Sequence, residues 1–192
     1  MSTPPDPKNH SKDSFFQQYN VTPEYFGWTK DLIKEKLRST CFPYSVLFCQ
    51  LAHDFNIGTG IRCSNAFNAE KVYYFGNTRK FDPRGAVGSH HYQDMNWIST
   101  FEDLKKLKEQ YTFVGVDNIE GSVELESFEW PENTLMVFGE EQVGIVPEIL
   151  ELCDYKVYIP MFGSVRSLNV GTASGIIMHD FVTKFNKKKV NK

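Results

Sequence analysis

Five short apolar runs, separated by segments of helical periodicity, constrain the fold of this chain more than any other feature. They are YSVLFCQLA (44–52), KVYYFG (71–76), YTFVGVD (111–117), TLMVFG (134–139) and DYKVYIPM (154–161). A strand with one wet face alternates apolar and polar residues. These runs are nearly continuous, as strands covered on both faces are. Helical signals fill the gaps between them. Thr29-Lys30-Asp31 opens an amphipathic helix through Leu32, Ile33 and Leu37. In HDFNIGTGIRCSNAF, Asp54 or Asn56 can cap a helix running to about Phe67. Ser99-Thr100-Phe101-Glu102 forms a capping box ahead of Leu104, Leu107 and Tyr111, Pro147 starts a short helix, and the segment after Met161 supplies the last one. Strands alternating with helices predict an α/β fold, a parallel sheet with helices on both faces. Residues 77–93, polar and glycine-containing, form a loop long enough to carry function.

Composition narrows the partners. A hydrophobic fraction of 41% over 192 residues fits one domain with a real core. No apolar run approaches the roughly 18 residues of a membrane span, so no membrane partner is expected. MSTPPDPKNHSKD lacks the apolar core of a signal peptide and is expected as a flexible tail. Cys41, Cys49, Cys63 and Cys153 form no CxxC pair and no ligand spacing with the histidines. They are expected as buried, reduced thiols in a cytoplasmic compartment, with no metal. His90-His91, without spaced partners, is expected to face solvent. A net charge of −3 confines any nucleic-acid surface to local basic clusters. Candidates are Lys30, Lys34, Lys36 and Arg38; Arg79, Lys80 and Arg84; and Lys184 with Lys187, Lys188 and Lys189. Each alone fits a solvated face equally.

Ligands of open parallel sheets bind at the carboxyl ends of strands, and three loops there carry unusual residues. In HDFNIGTGIR, Asn56 and Arg62 flank Gly58 and Gly60, and glycines inside a helical turn imply close approach of a backbone or a ligand. In FGEEQVGI, Gly139 and Gly144 bracket Glu140-Glu141 directly after a strand. This is neither a P-loop, having no Lys-Ser/Thr, nor GxGxxG, and two carboxylates would repel phosphate. The third loop is IPMFGSVRSLNVGTASGII (159–177), where Ser167 and Asn169 stand at a helix start. Either can cap; equally, both can offer a hydroxyl and an amide to a reacting group.

Together and in this order, the three loops resemble the signature of the SPOUT superfamily, and within it the SpoU (TrmH-like) family of RNA 2′-O-ribose methyltransferases. Its Asn-x-Gly…Arg motif is matched by Asn56, Gly58 and Arg62, and its Gly-x-Glu-x-x-Gly motif by Gly139, Glu141 and Gly144. Its Ile-Pro-Met…Ser-Leu-Asn-Val motif is matched by Ile159-Pro160-Met161 and Ser167-Leu168-Asn169-Val170. The resemblance covers about Pro43 to Phe181. Gln142 and Gly171 depart from the commoner residues, and neither is a motif anchor.

The resemblance implies a C-terminal deep trefoil knot, in which Gly171, Ala173 and Gly175 would allow threading and close packing against a second copy. It divides the chain into an N-terminal tail and short helix (1–40) that can contact RNA, a methyltransferase domain (41–185) and a basic tail (186–192). It implies S-adenosylmethionine as cofactor, held against Val116, Gly139, Gly144, Ile159, Met161, Ser167 and Leu168. It implies a homodimer through the knot, an RNA substrate with tRNA favoured by the chain's size, and Arg62, Asn56, Glu141, Ser167 and Asn169 as catalytic residues. A ribose 2′-hydroxyl is a poor nucleophile, and Arg62 is the family's candidate to activate it. An unperturbed guanidinium keeps its proton to roughly pH 12, so Arg62 either loses it with help from a substrate phosphate or stays charged and stabilises the developing alkoxide. The rival readings are a SPOUT-fold RNA-binding module without catalysis, a methyltransferase acting on rRNA or on a base, and an unrelated doubly wound nucleotide-binding protein.

Overall fold

The computed structural model describes residues 21–49, 54–76, 81–140 and 143–190. Among them, seven strands form one parallel sheet: β1 (Tyr44–Cys49), β2 (Val72–Phe75), β3 (Met95–Ile98), β4 (Thr112–Val116), β5 (Val123–Glu124), β6 (Thr134–Phe138) and β7 (Tyr155–Tyr158). Their order is β3-β2-β1-β6-β4-β7-β5. All five expected strands are present. The two unexpected ones stand at the edges, pairing only with β2 and β7, where partial exposure dispenses with a continuous apolar run.

Successive side chains of the central strands enter opposite layers, which is why the runs are apolar throughout. Val46, Phe48, Met136 and Phe138 face one layer, which is covered by α2 (Asp54–Ala66) and α5 (Val170–Val190). Leu47, Cys49, Leu135 and Val137 face the other, covered by Leu104 of α3 (Phe101–Lys106) and Ile149 of α4 (Pro147–Leu150). In α5, Val170, Gly171, Ser174, Ile177, Met178 and Phe181 are buried, a stripe of helical period. The basic run 187–189, expected in a tail, continues α5 to Val190.

Helix starts follow local hydrogen bonding. Thr29 caps α1 (Lys30–Thr40), its hydroxyl accepting from the Leu32 N–H. The box ahead of α3 is shifted one residue from expectation. Thr100, not Ser99, is the cap: it accepts from the Asp103 N–H at 3.2 Å and donates to the Asp103 carboxylate at 2.8 Å. Asn56 does not cap α2 but lies inside its first turns, since the helix already begins at Asp54.

Of the loop expected over 77–93, residues 81–93 are described. Two 3-10 turns, Pro83–Ala86 and Ser89–His91, pack into the structure with Ala86 and Ser89 buried. His90 and His91 are half-buried rather than solvent-facing, because the turn presses His90 against Phe81 and the two imidazoles lie 4.0 Å apart. Of the four cysteines only Cys49 is fully buried; the other three are half-buried and all are free thiols. None of the helices among the described residues is long and apolar enough to cross a membrane.

Candidate functional site

The strand register gathers the loops. Phe48 of β1 pairs with Phe138 of β6, which pairs with Val116 of β4, which pairs with Val157 of β7. Four strands therefore end at nearly one level. The connections after β1 and β6, which are neighbours, run to opposite sides: through α2 to β2, and through α4 to β7. This is a topological switch point, the place where open sheets bind ligands.

A cavity of ≈ 290 Å³ opens there, at the lower end of the roughly 300–1,000 Å³ usual for small-ligand clefts. Its walls include Val116, Gly139, Gly144, Ile159, Met161, Ser167 and Leu168. The structure thus brings all seven expected cofactor contacts to one hollow. Ala173, expected to ease packing, lines it as well. Glu140, noted in the second loop, faces the cavity too, and so do Asp117 and Arg166, which were not anticipated. Asp117 had a signal in the sequence: it is a carboxylate at the end of an otherwise apolar strand.

Beside the cavity, the first and third motifs meet. Asn169 is the cap of α5, its side-chain oxygen accepting from the N–H groups of Gly171 at 2.9 Å and Thr172 at 3.3 Å. Its amide nitrogen donates to the Asn56 side-chain oxygen at 2.9 Å. An asparagine does both; serine or aspartate would cap but has no amide to donate. Ser167, the other capping candidate, is exposed at the cavity rim.

The glycines of α2 and α5 answer to intramolecular packing. A Cβ on Gly58 would stand 2.8 Å from the backbone of Gly85 and Ala86, and one on Gly60 would overlap the Phe48 ring. Those on Gly171 and Gly175 would meet Thr59 at 2.8 Å and the Cys63 thiol at 3.3 Å, both on α2. The close approach expected of a second copy is thus already made by α2 at these two positions.

Arg62 lies on α2 one turn beyond Thr59, exposed, and outside the cavity wall. Among the described residues its side chain makes no hydrogen bond or ion pair. Its charge is felt by Cys63: burial pushes that thiol up, against a hydrogen bond with Ser174 and the nearby guanidinium. Glu141 falls outside the described residues.

Residues 43–179 match the family model described as the SpoU rRNA Methylase family. Over 133 residues the chain is 29% identical to the tRNA (guanosine(18)-2'-O)-methyltransferase of Aquifex aeolicus (strain VF5), a match covering 67% of this chain and 63% of that protein. The chain thus spans less than two thirds of that curated relative. The crystal structure of the A. aeolicus TrmH/SpoU tRNA modifying enzyme superposes with a TM-score of 0.74 at 25% identity, covering 83% of this chain and 84% of the other. The SpoU methyltransferase AviRb from Streptomyces viridochromogenes, solved in complex with AdoMet, superposes with a TM-score of 0.68 at 28% identity, covering 73% and 57%.

Proposed function

The chain belongs to the SpoU rRNA Methylase family, and from that premise we propose that it transfers a methyl group from S-adenosylmethionine to a ribose 2′-hydroxyl of RNA, with tRNA as the substrate. The observation that carries this reading is the juxtaposition of the cavity with the Asn169–Asn56 hydrogen bond, which joins a cofactor-sized hollow to the polar groups of the other two motifs. The tRNA preference follows the A. aeolicus relative.

The cavity's residues fit the cofactor. Val116, Ile119, Phe138, Ile159 and Leu168 offer apolar walls for an adenine ring, while Gly139 and Gly144 expose backbone. Asp117 and Glu140, against Arg166, suit a cationic group. When bound, the cofactor supplies an electrophilic methyl on a sulfonium. Arg62, exposed beside the α2–α5 junction, stays charged, holds a substrate phosphate and stabilises the developing alkoxide, whose proton passes to solvent water. Ser167 and Asn169 orient the ribose, Asn56 fixes the Asn169 amide, and Glu141 organises the second loop.

The same proposal includes the knotted path of the last segment and a homodimer that covers Phe162, Val165 and Ile176, large apolar side chains now exposed. It keeps the division at 1–40, 41–185 and 186–192, with Lys30, Lys34 and Arg38 recurring every fourth residue of α1 as an RNA-facing stripe. Methyl transfer from labelled S-adenosylmethionine by wild type and by Arg62→Ala tests the reading. The variant is expected to bind cofactor normally by calorimetry and to lose transfer by roughly a hundredfold or more. Undiminished turnover would remove Arg62 from its role.

A further inference from the structure

We propose that Asp117, which belongs to none of the three motifs, is the positioning residue of the cofactor loop: its carboxylate clamps the two arms of that loop, Gly139-Glu140 and Gly144-Ile145, onto the end of β4, and cofactor affinity depends on that clamp. The inference rests on the cavity being the S-adenosylmethionine site.

Asp117 is itself held from both sides. Its N–H donates to the Val157 carbonyl at 3.0 Å, and its carbonyl accepts from the Ser122 hydroxyl at 2.9 Å. Both oxygens of the side chain, which lines the cavity, are engaged as well. Oδ1 accepts from the Asn118 N–H at 2.8 Å, and Oδ2 accepts from the Ile145 N–H at 3.1 Å. On the loop side, Glu140 and Gly144 exchange backbone hydrogen bonds at 3.0 and 2.8 Å, joining the two arms.

The clamp accounts for both glycines of the second motif. Gly144 has φ +73°, and any Cβ there would overlap Asp117 Oδ2. A Cβ on Gly139 would overlap the carbonyl of Gly144. The two arms can therefore meet each other and the carboxylate this closely only with glycine at both positions. The chemistry also selects the acid. Two N–H donors are met by two separate oxygens, whereas an amide would offer one acceptor and turn its NH₂ toward the second donor. Asp117, Asn118, Gly139, Glu140 and Gly144 all line the cavity, so releasing Oδ2 moves two of its walls at once.

The test compares Asp117→Asn and Asp117→Glu with wild type by calorimetry with S-adenosylmethionine, by RNA affinity, and by amide exchange at Ile145. Asp117→Asn is expected to weaken cofactor binding roughly tenfold to hundredfold, the worth of hydrogen bonds to a charged acceptor. It should raise KM for the cofactor with little change in kcat, leave RNA affinity unchanged, and release protection at the Ile145 amide. Asp117→Glu, which keeps both acceptors on a longer arm, should retain more affinity than Asp117→Asn. Cofactor affinity unchanged in Asp117→Asn would overturn the proposal, as would equal losses toward cofactor and RNA or equal losses in both variants. If the asparagine variant does not fold, wild-type affinity with released Ile145 protection in Asp117→Glu overturns it instead. A wild-type protein that binds no S-adenosylmethionine would reject the functional reading; the clamp would then be judged by Ile145 exchange alone, and unchanged protection in Asp117→Asn would reject it too.

Discussion

At the scale of single residues, two polar side chains show what a position can be asked to do. Asn169 caps α5 and holds Asn56 with the same amide. Asn169→Ala should cost about 1 kcal/mol of stability through the lost cap. Asn169→Ser keeps a capping oxygen but is too short to reach Asn56. It should melt near wild type while losing roughly tenfold or more in transfer, because misplacement of a positioning group acts on rate; activity equal to wild type would uncouple the Asn56 contact from the reaction. His90 answers to pH. Burial, then His91 and Lys30, hold its imidazole below the ordinary range, and among the described residues its buried Nδ1 has no hydrogen-bond partner. The unfolded chain therefore binds the proton more readily, with a pKa of about 6.5. The stability this contributes is complete above that value and is lost as pH falls toward the folded pKa. The unfolding temperature should decline between about pH 7 and pH 5. His90→Phe, which suits the aromatic contact with Phe81, should flatten that slope; an unaltered slope would assign it to other groups. The motif residues could be singled out before any coordinates because their chemistry is odd for their setting. Asp117 was not, because a single acid closing a strand is common and only the crossing of β4 by a distant loop gives it work.

At the scale of elements, apolar continuity marked the five inner strands, while the edge strands β3 and β5 carry too little apolar pattern to announce themselves. The glycines of α2 were visible as anomalies, but their cause was not. Periodicity cannot say that the turn at Pro83–Ala86, well downstream, would press its backbone against Gly58, nor that Phe48 would fill the space over Gly60. This packing is open to test. Gly60→Ala should gain helix propensity yet lose about 1–3 kcal/mol net through overpacking, lowering the melting temperature by several degrees. Adding Phe48→Leu should recover part of the loss, and a stabilised Gly60→Ala would contradict the close contact.

At the scale of the whole molecule, the strand order brings segments far apart in the chain to one sheet end: β1 and α2 from the first third, β4 and β6 from the middle, and 159–169 from the last. No local pattern encodes that meeting, and the family motifs supply it only by resemblance. The exposed Phe162, Val165 and Ile176 carry the dimer proposal, which light scattering at micromolar concentration tests: a mass near twice 22.2 kDa is expected, and a monomer would contradict it. The central claim is the reaction itself. The most direct measurement incubates the purified protein with methyl-labelled S-adenosylmethionine and unmodified total tRNA, then digests the RNA and identifies the labelled nucleoside by mass spectrometry. The account predicts a single 2′-O-methylated nucleoside, with label lost in Arg62→Ala. Label on a base nitrogen, or no transfer to tRNA or ribosomal RNA by a protein that binds the cofactor, would contradict it.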